Sequence, residues 1–141
     1  MALPYSEAVR MRCRDPRRAG GWPEDAAGVG TGAAGSLDEG VWTRLQVHVS
    51  PGGHVIDDAR FRVFGCSAAV ASASFVADAL VGVAPGAVPA IDARQVAEAL
   101  ALPEDKQAMA AMATAAARLA VADWAQRDGA RHPGPGARGQ S

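Results

Sequence analysis

Ile56-Asp57-Asp58-Ala59-Arg60-Phe61-Arg62-Val63-Phe64-Gly65-Cys66-Ser67-Ala68-Ala69-Val70-Ala71-Ser72-Ala73-Ser74 is the stretch on which the fold turns. Its first half carries Ile56, Phe61, Val63 and Phe64 as its larger apolar residues and predicts a strand over 54–64. Gly65-Cys66-Ser67 breaks that strand. Small residues then predict a helix over 68–81 that ends in larger ones, Phe75 and Leu80. A cysteine therefore sits at a strand-to-helix joint, where the N–H groups of the helix start favour a thiolate. An inert cysteine kept there by packing is the competing reading.

Upstream, residues 41–49 alternate. Val41, Thr43, Leu45, Val47 and Val49 share one face, with Trp42, Arg44, Gln46 and His48 on the other. This is the pattern of a half-buried strand. Ser50-Pro51-Gly52-Gly53 supplies a turn, so the two strands are expected to pair as an antiparallel hairpin. Residues 19–36 are glycine-rich and read either as a mobile loop or as a strand approached closely by other backbone. Gly28, Gly30 and Gly32 lack the flanking strand and helix of a dinucleotide fingerprint. Residues 5–14 predict a short helix, with Tyr5, Val9 and Cys13 at helical spacing and Ser6 as N-cap; Asp15-Pro16 ends it.

Downstream, Pro85 to Pro89 reads as a linker, and Asp92 caps a short helix over 93–100. Leu102-Pro103-Glu104-Asp105 opens a long alanine-rich helix reaching about Gln126. Residues 1–127 are expected to form one domain, with 128–141 a disordered tail rich in glycine and proline. Helix, hairpin, then helices imply an α+β fold: a small antiparallel sheet with helices packed on one face.

The 141 residues suffice for one core without staples. With aromatics at 5%, that core must be built mainly from Ala, Val and Leu. A net charge of −1 argues against nucleic acid or a membrane surface as a partner held by bulk electrostatics. Arg10, Arg12, Arg14, Arg17 and Arg18 nevertheless cluster, either as a solvated helix face or as a docking surface for an acidic partner. There is no run of about 20 apolar residues to span a membrane and no secretory pattern before Pro4. A cytoplasmic, reduced compartment is expected, in which Cys13 and Cys66 stay unpaired.

Several segments together resemble the U-type iron–sulfur cluster assembly scaffolds, the IscU and NifU N-terminal domain family. They are Tyr5-Ser6-Glu7 with Asp15-Pro16-Arg17, Val29-Gly30-Thr31-Gly32, Leu45-Gln46-Val47, the 56–74 stretch, Leu102-Pro103 with Lys106, and Ala122-Asp123-Trp124. They span residues 5–127 in the family's order, and the 56–74 stretch is the most specific.

The resemblance implies a [2Fe–2S] cluster assembled on three cysteines plus an Asp or His, thiolates being natural ligands of iron. It places the first cysteine at Glu39, the nearby aspartate at Val41, the second cysteine at Cys66 and a His-Cys pair at Ala108-Met109. Only Cys66 keeps the family's residue, so the chain is similar to a divergent member with a degenerate ligand site. One thiolate cannot hold the cluster. Glu39 offers a carboxylate and Met109 a weak thioether, and a site shared in a homodimer or heterodimer is the remaining route to a cluster. Lys106 is implied as a polar neighbour of Cys66, against the plainer reading of a surface lysine. The family's chaperone-binding motif survives as Leu102, Pro103 and Lys106, with acids at Glu104 and Asp105. Two charges there would be costly to bury in an apolar chaperone groove.

Cys13 falls outside the family's ligand positions and reads as a core-facing helix residue. Met109 and Met112 read as a helix face in the core. His48 and His54 flank a turn without zinc-like spacing, so zinc is less expected than iron, and His132 is given no role. No nucleophile–base set, paired carboxylates or phosphate loop marks an independent enzyme. Two functions are expected: binding of iron, sulfur or a cluster through Cys66, or a module without a cluster that docks a cysteine desulfurase or a paralogous scaffold.

Overall fold

The computed structural model describes residues 5–131. Helix α1 (Glu7–Arg14) leads into an antiparallel sheet of β1 (Val29–Ser36), β2 (Val41–Val49) and β3 (Ile56–Phe64), in that spatial order. Helices α2 (Ser67–Leu80), α3 (Ala93–Ala99) and α4 (Gln107–Arg131) follow. Helices α2 and α4 pack on the sheet and on each other, giving the α+β arrangement expected. Between them lie Leu45, Val47, Ile56, Phe61, Val76, Leu80 and the buried alanines of both helices.

The hairpin forms as its alternation requires, with one adjustment. Leu45 faces Phe61 and Val47 faces Ala59, but Val49 pairs with Ile56 because the register shifts between His48 and Val49. The extra residue is a bulge that changes which parity of β3 faces the core. Ile56 therefore points inward together with Ala59 and Phe61, while Phe64, expected among the large apolar residues of the strand, is 56% exposed.

The opposite face of β2 is less open than alternation suggests. Gln46 is only 1% exposed, because the chain between α1 and β1 crosses beneath it. Gly20 N–H donates to the Phe61 carbonyl at 2.9 Å and Phe61 N–H to Arg18 at 3.0 Å, covering the free edge of β3. Trp22 then exchanges hydrogen bonds with the Gln46 amide. This part of the glycine-rich segment is tied to the sheet, and its second part is β1.

Two glycines of β1 let α4 approach. A Cβ at Gly30 would collide with the Ala120 carbonyl oxygen, and one at Gly32 with that of Ala116. Asp123 Oδ2 accepts from Thr31 N–H at 2.9 Å and Arg127 donates to the Val29 carbonyl at 3.1 Å, so α4 also supplies partners for edge-strand backbone.

Three local expectations change. Pro85–Ala90 is a 3₁₀ segment rather than a plain linker, and it buries Pro85 and Val88. The long helix does not start at Leu102: Glu104–Lys106 is a 3₁₀ turn and α4 begins at Gln107. It continues to Arg131, past Gln126. The remainder of the expected tail, 132–141, with His132, lies outside the described residues.

Candidate functional site around Cys66

The joint between β3 and α2 falls where the sequence places it, but the Cys66 thiol makes no hydrogen bond to the N–H groups of the helix start. Gly65 has no room for a side chain, since a Cβ would come within 2.9 Å of Val41 Cγ2. Cys66 is the N-cap residue of α2, but its thiol does not cap; its carbonyl accepts from Ala69 and Val70 N–H at 3.0 and 3.1 Å. The thiol is thus left free for other contacts, and the residue is half-buried.

Tyr5 supplies one such contact. Ser6 caps α1 by accepting from Val9 N–H at 3.2 Å, and its hydroxyl donates to the Leu100 carbonyl at 2.6 Å. That double anchor presents Tyr5 to Cys66. Burial raises the pKa of the phenol above its ordinary value; the charge of Cys66 raises it further, Lys106 lowers it, and its hydrogen bond to Cys66 raises it again. The Tyr5 phenol thus lies where it feels Cys66 first and Lys106 and Asp105 beside it. Sequence periodicity read Tyr5 only as an apolar helix-face residue, and nothing local signals its reach to a residue 61 positions away.

Among the described residues the other candidate positions complete no metal site. Leu37–Glu39 is a 3₁₀ turn capped by Ser36 Oγ, which accepts from Asp38 N–H at 3.1 Å. Glu39 is exposed on it, two residues before Val41. Ala108 is exposed, and Met109 is half-buried against the core. Met112 lies beside Gly35, where a Cβ would meet its sulfur at 2.8 Å. Among the described residues no group of three or more His, Cys, Asp or Glu side chains is placed to hold a metal ion. In the remnant of the chaperone motif, Leu102 is buried, Pro103 and Lys106 are half-buried, and Glu104 and Asp105 are exposed.

The arginines of the first helix and its exit are paired. Arg10 and Arg14 both bind Glu7, and Arg17 binds Asp15. Arg12 reaches Asp78 at 2.7 Å and Ser74 at 3.0 Å, with its guanidinium 5.1 Å from the Phe75 ring centroid. Arg18 bridges Asp58 and Asp78 at 2.9 and 2.7 Å. Arg12, Arg17 and Arg18 line an open cavity of about 430 Å³ with Ala8, Met11 and Asp78. His48 binds Asp57 at 2.6 Å, while His54 is exposed. Cys13 packs against the core as expected, and its thiol donates to the Ser67 carbonyl at 3.4 Å. Among the described residues no helix is long and apolar enough to cross a membrane.

The chain is similar to two curated scaffold proteins over nearly their whole length. It is 34% identical to the iron–sulfur cluster assembly scaffold protein IscU of Haemophilus influenzae, over 90% of this chain and 100% of that one. It is also 34% identical to the protein of the same name from Escherichia coli K12, over 86% of this chain and 94% of that one. Two crystal structures share the fold. One is the N-terminal part of a NifU-like nitrogen-fixation protein from Brucella abortus, with TM-score 0.58 and 16% identity over 86% of this chain and 94% of that one. The other is a SUF-system scaffold from Fervidobacterium islandicum, with TM-score 0.56 and 16% identity over 83% of this chain and 96% of that one. The NifU-like N-terminal domain family matches residues 4–131, and with relatives of this closeness the chain belongs to that family.

Proposed function

We propose that this chain works in iron–sulfur cluster assembly as a non-catalytic, scaffold-like protein that takes up sulfur or iron at Cys66. The observation that carries the reading is the setting of that thiol. It is uncommitted to capping, half-buried, and neighboured by the Tyr5 phenol, which is suited to donating to an anionic sulfur. The relatives at 34% identity are named as scaffolds of cluster assembly, which supports the same pathway.

The donor set does not fit a [2Fe–2S] cluster within one chain. Cys66 offers a single thiolate where the cluster needs four ligands, and Glu39 and Met109 are weak substitutes on iron. A cluster here requires donors from a second copy or a paralogous scaffold. Sulfur uptake needs only one thiolate, which attacks the outer sulfur of a cysteine persulfide and keeps it as a new persulfide. The partner implied is a cysteine desulfurase, and the setting a cytoplasmic one. With acids at Glu104 and Asp105, docking of the family's chaperone is weakened.

A second reading rests on the same missing ligands: a module that docks a desulfurase or a scaffold and carries no cluster. Anaerobic reconstitution with iron, a cysteine desulfurase and cysteine separates the two, reading metal and labile sulfide per chain. Iron or sulfide retained by the wild type and lost in Cys66→Ser supports uptake at Cys66. The absence of iron, of sulfide and of any desulfurase-dependent change at the Cys66 thiol, with desulfurase binding intact in both proteins, supports docking alone.

A further inference from the structure

The second thiol of the chain reaches the first turn of the helix that the first one opens. Cys13 Sγ lies 3.4 Å from the carbonyl oxygen of Ser67, the residue directly after Cys66. Neighbouring Cα atoms are about 3.8 Å apart and a carbonyl oxygen lies about 2.4 Å from its own Cα, so the Cys13 thiol is held within about 10 Å of the Cys66 Cα. Helix α1 packs on α2, and both cysteines are half-buried against one core cluster. The hydrogen bond of the Cys13 thiol is a weak S–H···O one, and neither thiol is committed to a disulfide.

We propose that Cys13 is the resolving thiol for a persulfide carried on Cys66, so that the chain converts sulfane sulfur into sulfide. The proposal rests on the reading of Cys66 as a sulfur acceptor. Cys13 attacks Cys66 Sγ, the inner sulfur of the persulfide. The Cys13–Cys66 disulfide bond forms and the bond to the outer sulfur breaks. That sulfur leaves as hydrosulfide with the bonding electron pair and takes up the proton released by Cys13 as hydrogen sulfide. The sulfane sulfur gains two electrons, and the two cysteine sulfurs are oxidised to a disulfide. A dithiol reductant then restores both thiols.

The chemistry suits a member of this family with a single family thiol at its site. Cluster sulfur is at the sulfide level, whereas a persulfide delivers it two electrons too oxidised. A chain that cannot retain a cluster can still supply the electrons and hand sulfide on. The turnover is stoichiometric until the disulfide is reduced, and the leaving sulfide drives exchange forward.

The test loads the reduced chain anaerobically with inorganic polysulfide, which places sulfane sulfur on accessible thiolates without a partner protein. The same samples are run with a cysteine desulfurase and cysteine. The wild type is expected to lose two hydrogens, yield a Cys13–Cys66 peptide within one chain, and release one sulfide per chain. Cys13→Ser, and Cys13→Ala as a variant better matched to the packing, are expected to keep the persulfide on Cys66 and release sulfide at least tenfold more slowly. Equal persulfide lifetimes in wild type and both variants, or disulfides only between chains, overturn the proposal. If polysulfide yields the internal disulfide but the desulfurase places no sulfur, the acceptor reading falls and the thiol pair stands. If neither source modifies Cys66, both fall.

Discussion

Trp22 and Gln46 exchange two hydrogen bonds: Trp22 N–H donates to Gln46 Oε1 at 2.8 Å, and Gln46 Nε2 donates to the Trp22 carbonyl at 3.0 Å. The same amide donates to Thr31 Oγ1 at 2.9 Å. One buried side chain thereby joins three strands of chain: the segment after α1, β1 and β2. Gln46→Leu keeps the volume and strands these partners, and a buried polar group left unpaired costs about 1–3 kcal/mol. Urea unfolding is expected to show a loss of that size. A loss much smaller would mean that water replaces the amide.

The seam between β1 and α4 depends on absent side chains. Gly32→Val places carbon against the Ala116 carbonyl, the Ala120 backbone nitrogen and Leu119 Cβ. Since backbone cannot yield as a side-chain tip can, the cost is expected at or beyond the roughly 1–3 kcal/mol of an overpacked core. The thermal midpoint should fall by several degrees or the chain should fail to fold. Gly86, with open space around it, is the control position.

These two contacts also show what was legible in the sequence. The alternation of 41–49 and the strand–Gly-Cys–helix order of 56–74 give the hairpin and the joint, because side-chain period and turn chemistry are local. The glycine spacing left loop and strand open, and only the approach of α4, distant in sequence, decides for a strand at 29–36. The alternation puts Gln46 on the face away from the core, and nothing in 41–49 announces that Trp22 covers it. At the candidate site, Cys66 and the substituted positions Glu39, Val41, Ala108 and Met109 could be read by resemblance. The contact of Tyr5 with Cys66 could not, and neither could that of Cys13 with Ser67, because both depend on how α1 crosses α2.

Acid should act on the pairing that fixes α1. Burial pushes the Asp78 carboxyl upward, but hydrogen bonds from Arg12 and Arg18, with their charges, outweigh it and hold its pKa below the ordinary value. A carboxylate lowered in the folded state contributes stability above its unfolded pKa of about 3.9, and that contribution is lost as pH falls through the lower folded value. Asp78→Asn should remove this part of the acid sensitivity below about pH 4 and, the group being partly exposed, cost roughly 1 kcal/mol at neutral pH. Thermal midpoints from pH 7 to pH 2 for both proteins check this. Parallel curves would show that Asp78 does not contribute.

Tyr5 is the only tyrosine, so tyrosinate absorbance reports it alone. Its midpoint is expected above 10.0. Cys66→Ser removes a neighbouring charge and an acceptor and should lower the midpoint, leaving the upward effect of burial. Lys106→Met removes an opposing charge and should raise it. An unchanged midpoint in both variants would mean that the three groups do not share a site.

Sulfur uptake at Cys66 is tested most directly in the Cys13→Ser chain, where Cys66 is the sole thiol. Anaerobic incubation with a cysteine desulfurase and cysteine, followed by alkylation and peptide mass spectrometry, should find one additional sulfur on the Cys66 peptide and none after Cys66→Ser in the same background. A Cys66 peptide that gains no sulfur, while the desulfurase loads an IscU scaffold run in parallel, would contradict the account.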